Sequence, residues 1–174
     1  MYNARVVQQV RRKEKAMIGV LKKVILLLAI LFVVMGITIS QGFMLSGFLA
    51  AGLYFIYDAL SRKEYEYVLE GGRLQISVIF GRRYRREVHA LDLKDMEVVA
   101  PSRHEKVAKY LKRGGTETLP KYDYTSYEEN VPYYTMIVME DRQKIKILMD
   151  LNEEMLECMK RMYPDRVFCG TVSE

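Results

Sequence analysis

At 174 residues the chain has room for one ordinary domain plus a modest extra element, which excludes two full globular domains. Half of its residues are hydrophobic and its mean hydropathy is −0.08, an average that hides a concentration of apolar residues between Val24 and Leu60. The formal charge of +5 is gathered at the start, since residues 1–23 hold seven Lys or Arg against Glu14 while residues 61–174 hold 20 of each sign; a neutral remainder excludes a domain that grips nucleic acid by neutralising many phosphates.

The basic leader, residues 1–23, is expected on the cytoplasmic side. Residues 2–21 are predicted to be helical, with Val6, Val7, Val10, Met17 and Leu21 loosely on one side. The Arg11 to Lys15 run breaks that stripe, which leaves attraction to anionic lipid as the modest expectation.

Two apolar segments follow, Val24 to Ser40 without a charge and Gly42 to Leu60 with Asp58 close to its end. Each is near the lower limit for crossing roughly 30 Å of hydrocarbon at about 1.5 Å per residue. The first gains length if Met17 to Leu21 also enter and Lys22 and Lys23 snorkel to the headgroups. One continuous helix would be too long for a single crossing, so the Ser40-Gln41-Gly42 break predicts a transmembrane helical hairpin, residues 24–60. Lys and Arg flank both outer ends and are missing from the connection, which predicts a multi-pass protein of the plasma membrane with both termini cytoplasmic. Tyr54 and Tyr57 suit the interfacial belt, and Asp58 is read as an exit-end residue without an intramembrane partner. Small residues recur at Gly36 and Ser40, at Gly42, Ser46 and Ala50, and at Gly47 and Ala51. Such ridges let helix backbones approach, within the hairpin or between two copies as a homo-oligomer, and the internal use is favoured. The long leader, the lack of a small-x-small cleavage site and the second apolar helix argue against a cleaved signal peptide.

From Glu64 the period changes to two. Tyr65, Tyr67 and Leu69 alternate with Glu64, Glu66 and Glu70, Gly71-Gly72 offers a tight turn, and Leu74, Ile76, Val78 and Phe80 alternate with Arg73, Gln75 and Ser77. A third strand is predicted over Arg83 to Leu91 and a fourth over Met96 to Ala100, stopped by Pro101. Ser102-Arg-His-Glu105 has capping-box spacing, so a helix is predicted to Arg113 with Gly114-Gly115 as its stop and His104 exposed in its first turn. The tyrosine-rich stretch 114–132 reads as a long loop, and Tyr133 to Glu140 and Lys144 to Asp150 as a second hairpin around Asp141-Arg142. Asp150-Leu-Asn-Glu153 reads as another capping box, opening a helix with Met155, Leu156, Met159, Met162 and Tyr163 as its apolar stripe until Pro164. Cys158 falls on that helix as a small apolar residue, and with Cys169 it shows neither metal-ligand spacing nor disulfide density.

Two N-terminal apolar helices, then YEYVLEGGRLQISVIFGRRYRREVHALDLKDMEVV, a tyrosine-containing loop and a strand pair leading to a helix that ends in MYPDRV together resemble small bacterial membrane proteins whose soluble part is similar to bacterial pleckstrin-homology (PH)-like domains. The resemblance implies an α+β fold: residues 61–174 as a cytoplasmic PH-like domain, an antiparallel, strongly bent sheet of about six or seven strands closed by the C-terminal helix. It carries over no catalytic residues.

For chemistry the inventory is thin. His89 reads as a surface residue of a strand, and no nucleotide-binding glycine loop, HExxH or paired-cysteine pattern occurs, so no enzyme, metal or cofactor is expected. Arg82, Arg83, Arg85 and Arg86 around Tyr84 are the most conspicuous candidates. They suit anionic headgroups or an acidic partner, or else pair with Glu64, Glu66, Glu70 and Glu87 across the hairpins. Tyr122, Tyr124 and Tyr127 are candidates for an aromatic recognition surface, or cover a sheet edge. The expected partners are the lipid bilayer and a membrane or cytoplasmic protein, with no nucleic acid. The function expected is a membrane-anchored, non-enzymatic binding module, with a structural subunit or assembly factor acting through the hairpin as the alternative.

Overall fold

The computed structural model describes residues 5–81, 83–110, 115 and 117–170. They form two compact units: one from the segments before Lys13, Glu64–Val78 and from Arg86 onward, the other from Lys13–Lys63 and Ile79–Arg85.

The second unit is dominated by α1 (Ala16–Thr38) and α2 (Gly42–Ser61). Both are long and apolar enough to cross a membrane, with mean hydropathies of 2.6 and 1.5 over their most apolar windows. Only 11 % and 6 % of those windows are covered by protein, unlike the core helix of a soluble domain. The break at Ser40-Gln41 is as tight as expected, Phe43 N–H reaching Ser40 O at 3.1 Å and Met44 N–H reaching Gln41 O at 3.1 Å. Where the helices touch, Gly36 faces Met44 and Gly47 faces Val33 and Ala29. Gly36 and Gly47 are buried, whereas Ser40, Gly42 and Ser46 are exposed and Ala50 and Ala51 half-buried, so the glycines of the small-residue ridges serve the internal contact.

The first unit contains the strands. Ahead of α1 lies β1 (Val6–Arg11), then β2 (Lys63–Glu70), β3 (Arg73–Phe80) and β4 (Tyr84–Asp92), and these four make one sheet in the order β1-β2-β3-β4. Its first strand corrects part of the helix expected over residues 2–21: Val6–Arg11 are extended, Ala16 to Leu21 are helical within α1, and residues 2–4 lie outside the described residues. Val6 and Val10 lie four apart, a spacing that fits one helix face and equally one strand face, and β-branched valines beside an unpaired β2 decide for the strand. The antiparallel register runs from Val6 opposite Leu69 to Arg11 opposite Glu64, burying Val6 and Val10. The strand-bearing part is therefore not confined to residues from 61 onward: its edge strand precedes the two apolar helices in the chain, which fall between β1 and β2. Gly71 and Gly72, at φ +58° and +83°, supply the left-handed pair that a two-residue turn between β2 and β3 demands.

A second sheet has the order β5-β7-β8-β6, from β5 (Met96–Pro101), β6 (Lys121–Asp123), β7 (Tyr134–Glu140) and β8 (Gln143–Met149). Among the described residues the α+β fold is as expected, with its eight strands divided between two four-stranded sheets in place of one bent sheet. Strands β7 and β8 form the anticipated antiparallel hairpin, with Asp141 and Arg142 both at positive φ. The stretch read as a long loop contributes β6, which lies parallel to β8 with Tyr122 opposite Ile147. Helix α3 is Glu105–Ala108, opened by His104, whose imidazole accepts the N–H of Lys106 in place of Ser102; Lys109 and Tyr110 form a turn, and positions 111–113 of the expected helix lie outside the described residues. Helix α4 (Glu153–Met162) is capped by Asn152, whose side chain accepts the Met155 N–H at 2.9 Å, in place of Asp150. Met155, Leu156 and Met159 are buried as their stripe implies, and beyond Pro164 the chain returns to bridge Val99 with Val167. Tyr67, Leu69, Leu74 and Ile76 of the first sheet and Met136, Ile137, Ile147 and Met149 of the second are fully buried.

Candidate functional site

In the helical unit, two acids and two bases close a network at the base of the hairpin. Lys22 Nζ lies 2.8 Å from Glu14 and 2.8 Å from Asp58, whose other oxygen is 2.8 Å from Arg62. Lys22 is 9 % exposed, enclosed by these two carboxylates. The antiparallel hairpin brings the start of α1 level with the end of α2 and gives Asp58 the partner that no local spacing reveals.

Strands β3 and β4 meet in the same unit at Gly81, whose φ is +55°. Its N–H donates to Arg62 O at 3.1 Å, and a Cβ there would stand 3.3 Å from Ala59 O, so the turn is seated on the last turn of α2. Lys63 Nζ lies over the Phe80 ring at 5.6 Å, Tyr84 lies 6.5 Å from that ring, and Tyr84 is 64 % exposed. Arg83 and Arg85 are exposed beside it. Arg86 is exposed in β4 and belongs to the other unit, and Arg82 lies outside the described residues. Of the acids expected to neutralise this cluster, Glu70 lies 3.8 Å from Arg5, and Glu66 is buried and accepts from Gln9 at 3.4 Å. Among the described residues Arg83 and Arg86 carry no ion pair.

The three loop tyrosines do not share one surface. Tyr124 is buried, its ring 5.3 Å from Tyr65 and its carbonyl accepting the Tyr67 hydroxyl at 2.6 Å. Burial pushes the hydroxyls of both Tyr67 and Tyr124 above the ordinary tyrosine range. Tyr122 sets its edge against His89 at 4.7 Å, and Tyr124 approaches the same imidazole at 5.6 Å. His89 is therefore not the surface residue expected: it is 6 % exposed, with Nδ1 2.8 Å from Glu140 and Nε2 without a hydrogen-bond partner among the described residues. Its strand position alone could not show that β6 folds over it. Tyr127 takes the left-handed φ of 61° and is 38 % exposed, with the Arg12 guanidinium 4.0 Å from its ring centroid.

Tyr127 also borders an open groove of about 1230 Å³ that the sequence did not announce. Strand β8 and the start of α4 form one side, and the 127–134 segment the other. At its floor Asp150 is 4 % exposed and accepts the Ser126 N–H at 2.7 Å; burial raises its carboxyl above the ordinary range against that hydrogen bond. Beside it the Gln8 side chain ties β1 to the start of α4, donating to Asp150 O at 2.7 Å and accepting the Asn152 N–H at 3.0 Å. Among the described residues no three His, Cys, Asp or Glu side chains stand close enough to hold a metal ion.

No curated protein and no solved structure is matched by the chain. Residues 3–169 match the family described as bacterial PH-like domain (DUF6106), a span that takes in β1, both apolar helices, the two sheets and α4. With nearly the whole length matched, the chain belongs to that bacterial PH-like domain family.

Proposed function

We propose that this protein is a membrane-anchored, non-enzymatic binding module, in which α1 and α2 cross the bilayer and the β3–β4 turn meets anionic headgroups at the cytoplasmic face. One observation carries the reading: the turn bearing Arg83, Tyr84 and Arg85 is hydrogen-bonded to the end of α2 through Gly81 and Arg62. A chain that leaves the hydrocarbon at Ser61 brings that turn to headgroup depth. There, guanidiniums make charge-assisted hydrogen bonds to phosphate and aromatic rings favour the interface. Lys13, Lys15, Lys23 and Arg62 belong to the same compact unit, and their bias to this end of the hairpin supports a cytoplasmic orientation. The bare apolar flanks of both helices support a lipid solvent.

The test uses the full chain in nanodiscs of zwitterionic or of mixed anionic lipid, with hydrogen exchange read across residues 79–86. Protection is expected to rise with the anionic fraction. Each arginine near an anionic surface contributes about 1 kcal/mol, so Arg83→Ala with Arg85→Ala should weaken the lipid preference roughly tenfold or more. Protection that ignores lipid charge sinks the headgroup assignment.

A further inference from the structure

The groove beside β8 and α4 has a chemistry opposite to that of the arginine turn. Six carboxylates line it, from Asp123, Glu128, Glu129, Asp150, Glu153 and Glu157, against two cations, Arg103 and Lys121. Lys121 lies 3.6 Å from Asp123, and Arg161 on the next turn of α4 lies 3.4 Å from Glu157. Among the described residues Glu128, Glu129 and Glu153 carry no ion pair. The same walls are greasy: Val131 and Tyr133 are exposed on one side, and Leu151 and Leu156 are nearly covered on the other. An anionic headgroup or a nucleic acid is repelled by this field, and a wholly apolar ligand leaves Glu128, Glu129 and Glu153 without a counter-charge.

A guanidinium already sits at the rim. Arg12 lies over Tyr127 at 4.0 Å, and the Tyr127 hydroxyl donates to Asp123 at 3.3 Å, so an aromatic ring that lines the groove already holds a cation on its face. The lining supplies those ingredients again, with the exposed ring of Tyr133 and the carboxylates of Glu128, Glu129 and Glu153. At about 1230 Å³ it exceeds the roughly 300–1,000 Å³ of drug-sized sites, a size suited to several residues of a peptide. We propose that this groove docks a cationic segment of a partner protein, arginine or lysine side chains alternating with aliphatic ones, with the aliphatic stems against Val131 and Leu156 and the charges toward the acids. The surface is distinct from the arginine turn and does not depend on the headgroup assignment.

The experiment places the full chain in zwitterionic nanodiscs, where lipid attracts no cationic peptide, and titrates a fluorescent peptide of alternating arginine and leucine by anisotropy. A peptide of alternating glutamate and leucine is the control. Saturable one-to-one binding of the cationic peptide is expected, weakened at least tenfold by Glu128→Lys with Glu129→Lys and several-fold by the corresponding glutamine pair. Both residues are exposed in a loop, so the fold survives, and unchanged circular dichroism verifies it. Arg83→Ala with Arg85→Ala should leave this binding unchanged, which separates it from the lipid experiment. Lack of saturable binding, equal binding of the acidic peptide, or undiminished binding by the lysine pair overturns the proposal.

Discussion

Gly36 and Gly47 differ from Gly19 and Gly52 in what a methyl group would meet. A Cβ at Gly36 would stand 2.2 Å from Met44 Cγ and 2.7 Å from the Met44 backbone nitrogen, and one at Gly47 would stand 3.1 Å from Val33 N; at Gly19 and Gly52 nothing lies within 4 Å. A flexible methionine side chain can move, but the backbone cannot without separating the helices. Gly36→Leu is therefore expected to destabilise the hairpin by about 1–3 kcal/mol, whereas Gly52→Ala is expected to stabilise α2 by roughly 0.5–1 kcal/mol through helix propensity. Steric trapping or denaturant titration of each variant in neutral detergent measures both, and equal stabilities would show that α1 and α2 do not pack through these glycines. The small-residue spacing made the ridge legible, yet it could not say which members face inward. Gly36 and Gly47 do, and Ser46 does not, because that choice depends on how α2 is rotated against α1. His89 illustrates the same gap from the other side, since its burial comes from Tyr122 and Tyr124 more than thirty positions away.

Elements of the second sheet are tied by Glu97 on β5, which accepts hydrogen bonds from Tyr110 at 2.7 Å and Lys109 at 3.1 Å and lies 2.8 Å from Lys144 on β8. Burial would push its carboxyl up, but the bonds from Lys144, Tyr110 and Lys109 outweigh that and hold it at about 2, against 4.5 unperturbed. A depressed acid stabilises the fold in full above its unfolded value and loses that contribution as pH falls from 4.5 toward 2. The full linkage would be about 3 kcal/mol, but 35 % of the side chain is in solvent, which reduces the expectation to about 1 kcal/mol. Asp150 acts in the opposite sense, so the informative quantity is the difference between the wild type and Glu97→Gln. The variant should show a shallower fall of the urea midpoint below pH 4.5, and parallel curves would remove Glu97 from the acid response. Hairpins β2–β3 and β7–β8 were readable because alternation and turn residues lie within a few positions of each other. Strand β6 was not, since three residues without alternation become a strand only by pairing with β8.

On the scale of the whole chain, the order of segments matters more than any one of them. The eye reads a basic leader, two apolar helices and a strand-rich domain as three consecutive pieces, but β1 belongs with β2 across roughly fifty intervening residues. A charged, valine-containing leader gives no local sign of this, because its partner is supplied only after the hairpin has closed. The register puts Arg11 opposite Glu64, and directly opposed residues of an antiparallel pair have Cα atoms about 4.5–5.5 Å apart, a gap that a short turn closes. A chain in which residues 13–62 are replaced by Asn-Gly should therefore join β1 to β2 as a hairpin. It is expected to be soluble without detergent, with the two-sheet unit intact by circular dichroism and a cooperative urea transition. A chain beginning at residue 61 loses Val6 and Val10 from the core and Gln8 from its bonds to Asp150 and Asn152, and bares the β2 edge. Unpaired edges of that length recruit other chains, so this truncation should aggregate where the rejoined chain does not. If both behave alike, β1 is dispensable to the fold and the helices are a plain N-terminal anchor; if only the rejoined chain folds, the hairpin is an insertion in the sheet.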